Sequence, residues 1–597
     1  MTRPISSTGS PLFQRGARGD FLPGTVSPSE ISPDPPLRKG GASLRSVLPL
    51  IGRLRGIPPS VALSVAIALL VIAPLLAVFS YLGAPTDGLW GHLVETRLGE
   101  YLRNSLILVL GVGTLTLIAG TGTAWLVTLY RFPGRRLFEW LLVLPLAMPA
   151  YVLAYTYTDF FQFTGPVQTL IRDLTGWGWR DYWFPDIRSP FGAVVVLAAA
   201  LFPYVYVAAR AAFLSQSVCA LEVSRTLGCS PWGVFWRVGF PLARPAIVAG
   251  TMFVLMETLA DFGAVAYFEV HTFTTGIYRT WYSYGNPAAA AQLASVLLLF
   301  VYGLLMLERY SQGQRRYSHT STRYRNLPSI PLGRWGWVAT LFCFMPLFMG
   351  FLLPVGILLS MVWDARDVLS VERLMELTWN TATLGLVTCL VICTVALAAV
   401  YSARRGDHPV GRFFTNLALL GYATPGVVIA VGLLIVLGAT DRWLGDLIEG
   451  SLGVSVGLIF SGTLFAVVYG CTVRFFTVAY SPLSAGLKKI RPAYEDAART
   501  LGARPRRIFS AIHLPMLRGS LLSAGLLVFV DVMKELPATM ILRPFNFDTL
   551  AVEAYQLAAT ERLDGAAGPA LVIVLVGLVP VIILCRAITH SRPGQLR

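Results

Sequence analysis

Glu222-Val-Ser-Arg-Thr-Leu-Gly228 returns 274 residues later as Asp496-Ala-Ala-Arg-Thr-Leu-Gly502. The register then holds without a gap: Pro231 aligns with Pro505, Phe235 with Phe509, Pro241 with Pro515 and Arg244 with Arg518. It runs on through Glu257 and Asp531, Asp261 and Glu535, and Phe273-Thr-Thr275 and Phe547-Asp-Thr549. Upstream the offset is 276, matching Asn104 to Asn380 and Pro149 to Pro425. Self-similarity of this length means two copies of one structural unit, and it constrains the architecture more than any single motif does.

The surroundings of the repeat are apolar. Of 597 residues, 55% are hydrophobic and only 13% charged, with a mean hydropathy of +0.63. An average soluble protein carries roughly 25% charged residues, so most of this surface is built for a bilayer. A spanning helix needs about 20 apolar residues. Twelve stretches qualify: 59–83, 104–129, 137–158, 191–213, 243–267, 288–308, 335–363, 380–402, 412–438, 453–478, 517–541 and 567–588. The expected fold is an all-α polytopic membrane protein of about twelve transmembrane helices in two parallel repeats, because an even number of spans separates the copies.

The net charge of +16 would suggest nucleic acid in a soluble protein. Here the basic residues fall in short loops, so the excess reads as a topology signal and no nucleic-acid partner is expected. One set of loops holds Arg131, Arg135, Arg136, Arg225, Arg237, Arg315, Arg316, Arg404, Arg405, Lys488, Lys489 and Arg506. The opposite loops carry Asp87, Glu95, Asp159, Asp181, Asp364, Asp441, Asp446 and Glu449. The bias puts both termini in the cytoplasm. Residues 1–55 are rich in Pro, Gly, Ser and Arg and read as a disordered basic tail. A signal peptide is not expected, since the first long apolar run starts near Val61. The remaining divisions are 56–99 (first helix and outer loop), 100–310 (first transmembrane domain), 311–375 (linker with the seventh helix), 376–588 (second transmembrane domain) and a short tail at 589–597. Seven cysteines and six histidines are dispersed, with no metal-ligand spacing.

The doubled segment lies in the two longest cytoplasmic loops, 214–242 and 479–516. Its local physics reads helix, break, helix. Glu222 to Leu227 forms one helix ended by Gly228, and Pro231 suits the first turn of the next. Phe235 and Val238, or Phe509 and Ile512, share a face of that second helix. Pro241 and Pro515 are expected to stop it. The pattern resembles the Glu-Ala-Ala-x-x-x-Gly loop of type I ABC importer permeases, whose second helix closes on Leu-Pro, as His513-Leu-Pro515 does here. The resemblance implies a fused, two-half permease subunit in a bacterial inner membrane. It implies two copies of an ATP-binding subunit, which uses ATP and magnesium, docked on Glu222, Arg225, Gly228, Phe235 and Pro241 in one loop. In the other loop the docking residues are Glu495, Asp496, Arg499, Gly502, Phe509 and Pro515. The second copy carries two adjacent carboxylates, Glu495 and Asp496, and either fits the family's acid.

The chain itself is not expected to be an enzyme or to bind a cofactor. No Gly-Lys dipeptide occurs, so no phosphate-binding Walker loop can form. Gly453-Val-Ser-Val-Gly457 matches a nucleophile elbow by letter but opens an apolar span with no catalytic partners.

Ionisable residues inside spans are costly and usually face an internal path or pair with one another. Glu257 and Asp261 lie four apart, as do Asp531 and Glu535, with Lys534 beside them. They are candidates for the translocation path, and pairing that fixes helix packing is the competing reading. Asp531-Val-Met-Lys-Glu-Leu-Pro-Ala-Thr539 with Leu542-Arg-Pro-Phe-Asn-Phe-Asp-Thr-Leu550, and Glu257-Thr-Leu-Ala-Asp-Phe-Gly263 with Thr272-Phe-Thr-Thr-Gly-Ile-Tyr278, look like the fused permeases of ferric-iron importers. That likeness implies ferric iron delivered by a periplasmic binding protein. Thiamine, phosphonate and polyamine permeases share the architecture, and an ion-coupled secondary transporter is the alternative of another class.

Overall fold

The structure, a computed structural model, describes residues 58–178, 180–216, 223–224, 226–312, 330–364, 370–405 and 408–590. The tails expected at 1–55 and 589–597 fall wholly or mostly outside these residues, and so do Glu222, Arg225, Arg315 and Arg316.

The helices used below are, in chain order, α1 (Pro59–Ser80), α2 (Leu98–Leu129), α3 (Arg135–Leu141), α4 (Ala150–Phe161), α5 (Pro190–Ser215), α6 (Phe240–Ala260), α7 (Gly263–Tyr267), α8 (Phe273–Tyr282), α9 (Pro287–Gln312), α10 (Gly336–Leu347) and α11 (Leu353–Asp364). The second half follows with α12 (Val371–Arg405), α13 (Pro409–Ala418), α14 (Gly426–Leu452), α15 (Leu464–Lys489), α16 (Pro492–Thr500), α17 (Leu514–Met533), α18 (Pro537–Leu542), α19 (Leu550–Ala559) and α20 (Leu563–His590). Among the described residues eleven helical segments are long and apolar enough to cross a membrane. A further pair of helices, 135–147 and 150–175, passes the same test only together and is bent by 94°, as a broken span or a re-entrant loop would be. Leu69 and Leu76 of α1, Leu110 and Ile118 of α2, Leu386 and Leu390 of α12 and Leu575 of α20 are exposed on the outside, as a lipid-facing surface requires.

Five expected spans differ from the observed ones, and each difference has a local cause. The stretches 137–158 and 412–438 are not continuous: the backbone turns extended at Met148 (ψ 116°) and Thr424 (ψ 126°), each just before a proline. A residue preceding proline is pushed out of the helical region by the ring, so α4 and α14 start afresh. The stretch 453–478 begins too early. Residues 453–463 form a loop tied to Asp441, whose carboxylate accepts from the amides of Ile459, Phe460 and Ser461 at 3.3, 2.9 and 2.8 Å. Asp441 is therefore buried in α14, not set in an outer loop, and α14 continues through Asp446 and Glu449. Finally, 243–267 and 517–541 are each broken, after Ala260 and after Met533.

Pro241 and Pro515 do not stop their helices as expected. A π turn precedes each of them, at Phe235–Gly239 and Phe509–His513, and a third at Phe348–Leu352 precedes Pro354. The amide just before each proline (Phe240, Leu514, Leu353) donates to the carbonyl five residues back. Proline cannot donate to the carbonyl four back and its ring collides with it. One widened turn accommodates both problems, and the helix runs on.

Close contact between helices depends on glycine. A Cβ on Gly120 of α2 would lie 2.6 Å from Val205 Cβ and 2.9 Å from the Tyr206 amide of α5, and one on Gly432 of α14 would lie 2.1 Å from the Pro74 carbonyl of α1. Small residues of this kind drive association where lipid removes the hydrophobic incentive. Two buried clusters result, and neither follows the repeat boundary. One joins α2, α4 and α5 of the first half to α11 and to α19 and α20, the end of the second. The other joins α12, α14, α15 and α17 of the second half to α1, α8 and α9 of the first. Each half thus lends its flanking helices to the other.

Gly120→Leu should lower the thermal midpoint of the detergent-purified chain by an overpacking cost of about 1–3 kcal/mol. Gly303→Leu, where a Cβ meets nothing within 4 Å, should leave it unchanged.

Candidate functional site

The described parts of the repeated loops share a glycine turn. Gly228 and Gly502 adopt φ of 82° and 77°, a left-handed conformation that costs a side chain-bearing residue roughly 1–2 kcal/mol. The amide of Ala503 donates to Ala498 O at 2.9 Å and that of Gly502 to Arg499 O at 3.0 Å, which is a Schellman end to α16. Cys229 donates to Ser224 O at 3.1 Å in the first copy. A Cβ on either glycine would meet nothing within 4 Å, so their role is to turn the chain, not to fill space.

Each second helix is fastened through its phenylalanine. Phe235 packs edge-on against Trp125 of α2 with ring centroids 5.0 Å apart, and Phe509 packs edge-on against Tyr401 of α12 at 5.3 Å. Trp125 and Tyr401 are themselves related by the 276-residue offset. The larger indole is accommodated by Gly239, where a Cβ would come within 2.4 Å of it, and the smaller phenol shares its site with buried His513, the counterpart of Gly239.

The two carboxylates of the second loop divide their tasks. Glu495 points inward: its side chain is 14% exposed, pairs with Arg404 Nε at 2.6 Å, and lies 3.1 Å from His513 Nε2. Arg404 also donates to the carbonyls of Leu487 and Ile490, tying the loop to α12. Asp496 points outward, 66% exposed, and touches only Arg499, at 3.4 Å, among the ion pairs of the described residues. Leu227, Trp232, Trp236 and Leu501 are also exposed on the two loops.

Deep between the halves lies a cavity of about 110 Å³ whose walls include Glu257, Asp261, Asp531, Lys534 and Glu535 together. Their pairing is quasi-symmetric. Asp261 Oδ1 accepts from the amides of Ala264 and Val265, both at 3.1 Å, where α7 begins. Glu535 accepts from Ala538 at 2.9 Å and from Thr539 at 2.8 Å, where α18 begins. These acids satisfy the orphan donors of the helices that follow the two breaks. Lys534 Nζ pairs with Asp531 at 3.0 Å. These residues therefore share one cavity wall and are also paired within it.

Arg474 of α15 completes the cluster and was not among the residues singled out from sequence. Its guanidinium is 3.2 Å from Glu535 and reaches into the other half, 3.4 Å from Glu257. The signal was present, a lone charge in Val473-Arg474-Phe475-Phe476, but the repeat draws the eye to matched acids, and Arg474 has no counterpart. The position equivalent to it is Ala200, and that equivalent to Lys534 is Ala260. Tyr151, Tyr204 and Tyr422 also line the walls.

A family model described as the binding-protein-dependent transport system inner membrane component matches residues 116–315 and again 395–594. The chain belongs to that family. It is an ABC importer permease with two such domains fused, a transport subunit of the inner membrane and not an enzyme. Fused relatives span most of it: the Fe(3+)-transport system permease protein FbpB 2 of Haemophilus influenzae is 26% identical over 503 residues, 82% of this chain and 90% of that one. The ferric transport system permease protein FbpB of Actinobacillus pleuropneumoniae is 24% identical over 495 residues, 79% and 68% of the two chains. The molybdenum transport system permease protein ModB of Escherichia coli is 30% identical over 192 residues, covering 31% of this permease and 81% of its own length.

In this permease Glu495→Gln should lower thermal stability by about 1.5–3 kcal/mol, the worth of charge-assisted hydrogen bonds. Asp496→Asn should not lower it measurably. Differential scanning fluorimetry of the two variants reads the difference.

Proposed function

We propose that this permease carries ferric iron inward, received from a periplasmic binding protein and driven by two ATP-binding subunits docked on the loops at Gly228 and Gly502. The observation that carries the cargo is the span of the likeness. The two relatives named above as ferric permeases run across both halves of the chain, whereas the molybdenum permease aligns with about one half. The cavity agrees in sign, with four carboxylates facing two cations.

The coupling role rests on the doubled loops. Two matched elements on one side of the membrane suit two copies of one partner. Their fixed aromatic anchors, Phe235 on Trp125 and Phe509 on Tyr401, transmit a push on the loop to α2 and α12. Closure of the partners would draw the loops together and switch the cavity between its two faces, an alternating-access cycle. Asp496, exposed where Glu495 is pinned, is the acid that a partner's basic residue would meet. The charge bias of the loops supports cytoplasmic termini.

Uptake of radiolabelled ferric iron in a strain lacking this permease, with molybdate and sulfate as comparators, tests the cargo. Iron uptake should fall at least tenfold and return with the intact gene. Unchanged iron uptake with loss of another substrate would reject it. Gly502→Ala and Asp496→Asn should each cut uptake at least fivefold at unchanged membrane abundance, because neither position has packing to lose. Full uptake by both variants would reject the coupling role.

A further inference from the structure

The cavity's two cations both come from the second half, although its four carboxylates come in matched pairs. Arg474 is anchored at Glu535, whose side chain is 1% exposed, and extends to Glu257, which is 35% exposed. Lys534 rests on Asp531. Asp261 and Glu535 are engaged by helix-start amides. Glu257 and Asp531 are not so engaged, and each is neutralised by one basic side chain. A partly buried carboxylate is costly without a counter-charge, so an empty path keeps these cations. The hydroxyl of Tyr151, on the same wall, is buried and without a hydrogen-bond partner among the described residues. It is an unused ligand atom beside the acids.

We propose that Arg474 is a tethered counter-cation. It neutralises Glu257 across the two halves while the path is empty, and a hard metal cation in transit takes its place. Arg474 stays paired with Glu535 when it yields Glu257, so releasing the first-half acid does not strand a buried charge. The exchange makes the site selective by sign: a cation can replace the guanidinium on the carboxylate, whereas an oxyanion cannot take its place on Glu257. Arg474 is thus a specificity-determining residue, and this inference rests on the reading of the cargo as ferric iron. It differs from that reading in naming what holds the site closed to other charges.

Terbium(III) is a suitable probe, being a hard trivalent ion whose emission is sensitised by nearby tyrosine. It is titrated into the full-length permease in nanodiscs. Arg474→Gln should bind terbium at least tenfold more tightly than the unaltered chain. Arg474→Lys should not, and Arg474→Gln combined with Glu257→Gln should lose the gain. Unchanged affinity in Arg474→Gln, or a gain that survives Glu257→Gln, overturns the proposal. So does tighter molybdate or sulfate binding by the unaltered chain than by Arg474→Gln, which would make the guanidinium an anion ligand. Glu257→Gln alone supplies a reading independent of folding in the arginine variants. It leaves the guanidinium charge facing the path, and ferric uptake should fall at least fivefold at unchanged membrane abundance; full uptake overturns the proposal. The terbium titration does not depend on which metal the cell imports, so loss of the iron reading in the uptake experiment and failure of the counter-cation role are separate results.

Discussion

In a bilayer every backbone amide and carbonyl needs a partner within the protein, and the shape of this permease follows from how that demand is met where helices break. Four interruptions fall within stretches whose sequence is apolar enough to span. At Asp261 and Glu535 a carboxylate takes over the amides of the next helix. At Met148 and Thr424 the following residue is a proline, which has no amide to satisfy. The four breaks bring α4, α7, α14 and α18 to one place, and that place is the charged cavity. Gly426, the first residue of α14, is so close to the ion pair that a Cβ there would lie 2.5 Å from the Arg474 guanidinium. Irregular backbone within a span is tolerated where it is buried in protein or lines a cavity, and these four breaks meet at one.

The same demand explains the π turns. A proline beyond the first turn normally ends or kinks a helix, with a cost of about 3 kcal/mol or more. Here three phenylalanine-led π turns let Pro241, Pro354 and Pro515 ride within continuous helices. Two of them join the doubled loops to α6 and α17 without a break in the helix. A rigid joint suits an element that must pass on a displacement.

Much of this was legible in the sequence. The offset of 274 residues gave the parallel repeat, and the glycines at 228 and 502 gave the loop geometry, since a left-handed turn leaves a residue-type signature. The prolines at 241 and 515 misled, because sequence shows the missing amide but not the widened turn that accommodates it. Asp441 misled similarly: an acid near a span end looks like an outer loop until its three amide donors are seen. Arg474 was missed since its partners, Glu257 and Glu535, are 217 and 61 residues away. Which of Glu495 and Asp496 faces outward depends on Arg404, 91 residues upstream of Glu495, and no local pattern contains that.

The exchange of flanking helices has a consequence for how the protein is made. The first core includes Ala566, Ala570, Ile573 and Val581 of α20, close to the end of the chain. The first repeat is therefore incomplete until α20 is made, and its inner faces wait for that helix. The second repeat has no such delay, since α1, α8 and α9 precede it. In a pair of separate subunits the same exchange would require each to find the other; fusing the genes turns a bimolecular search into a matter of order of emergence.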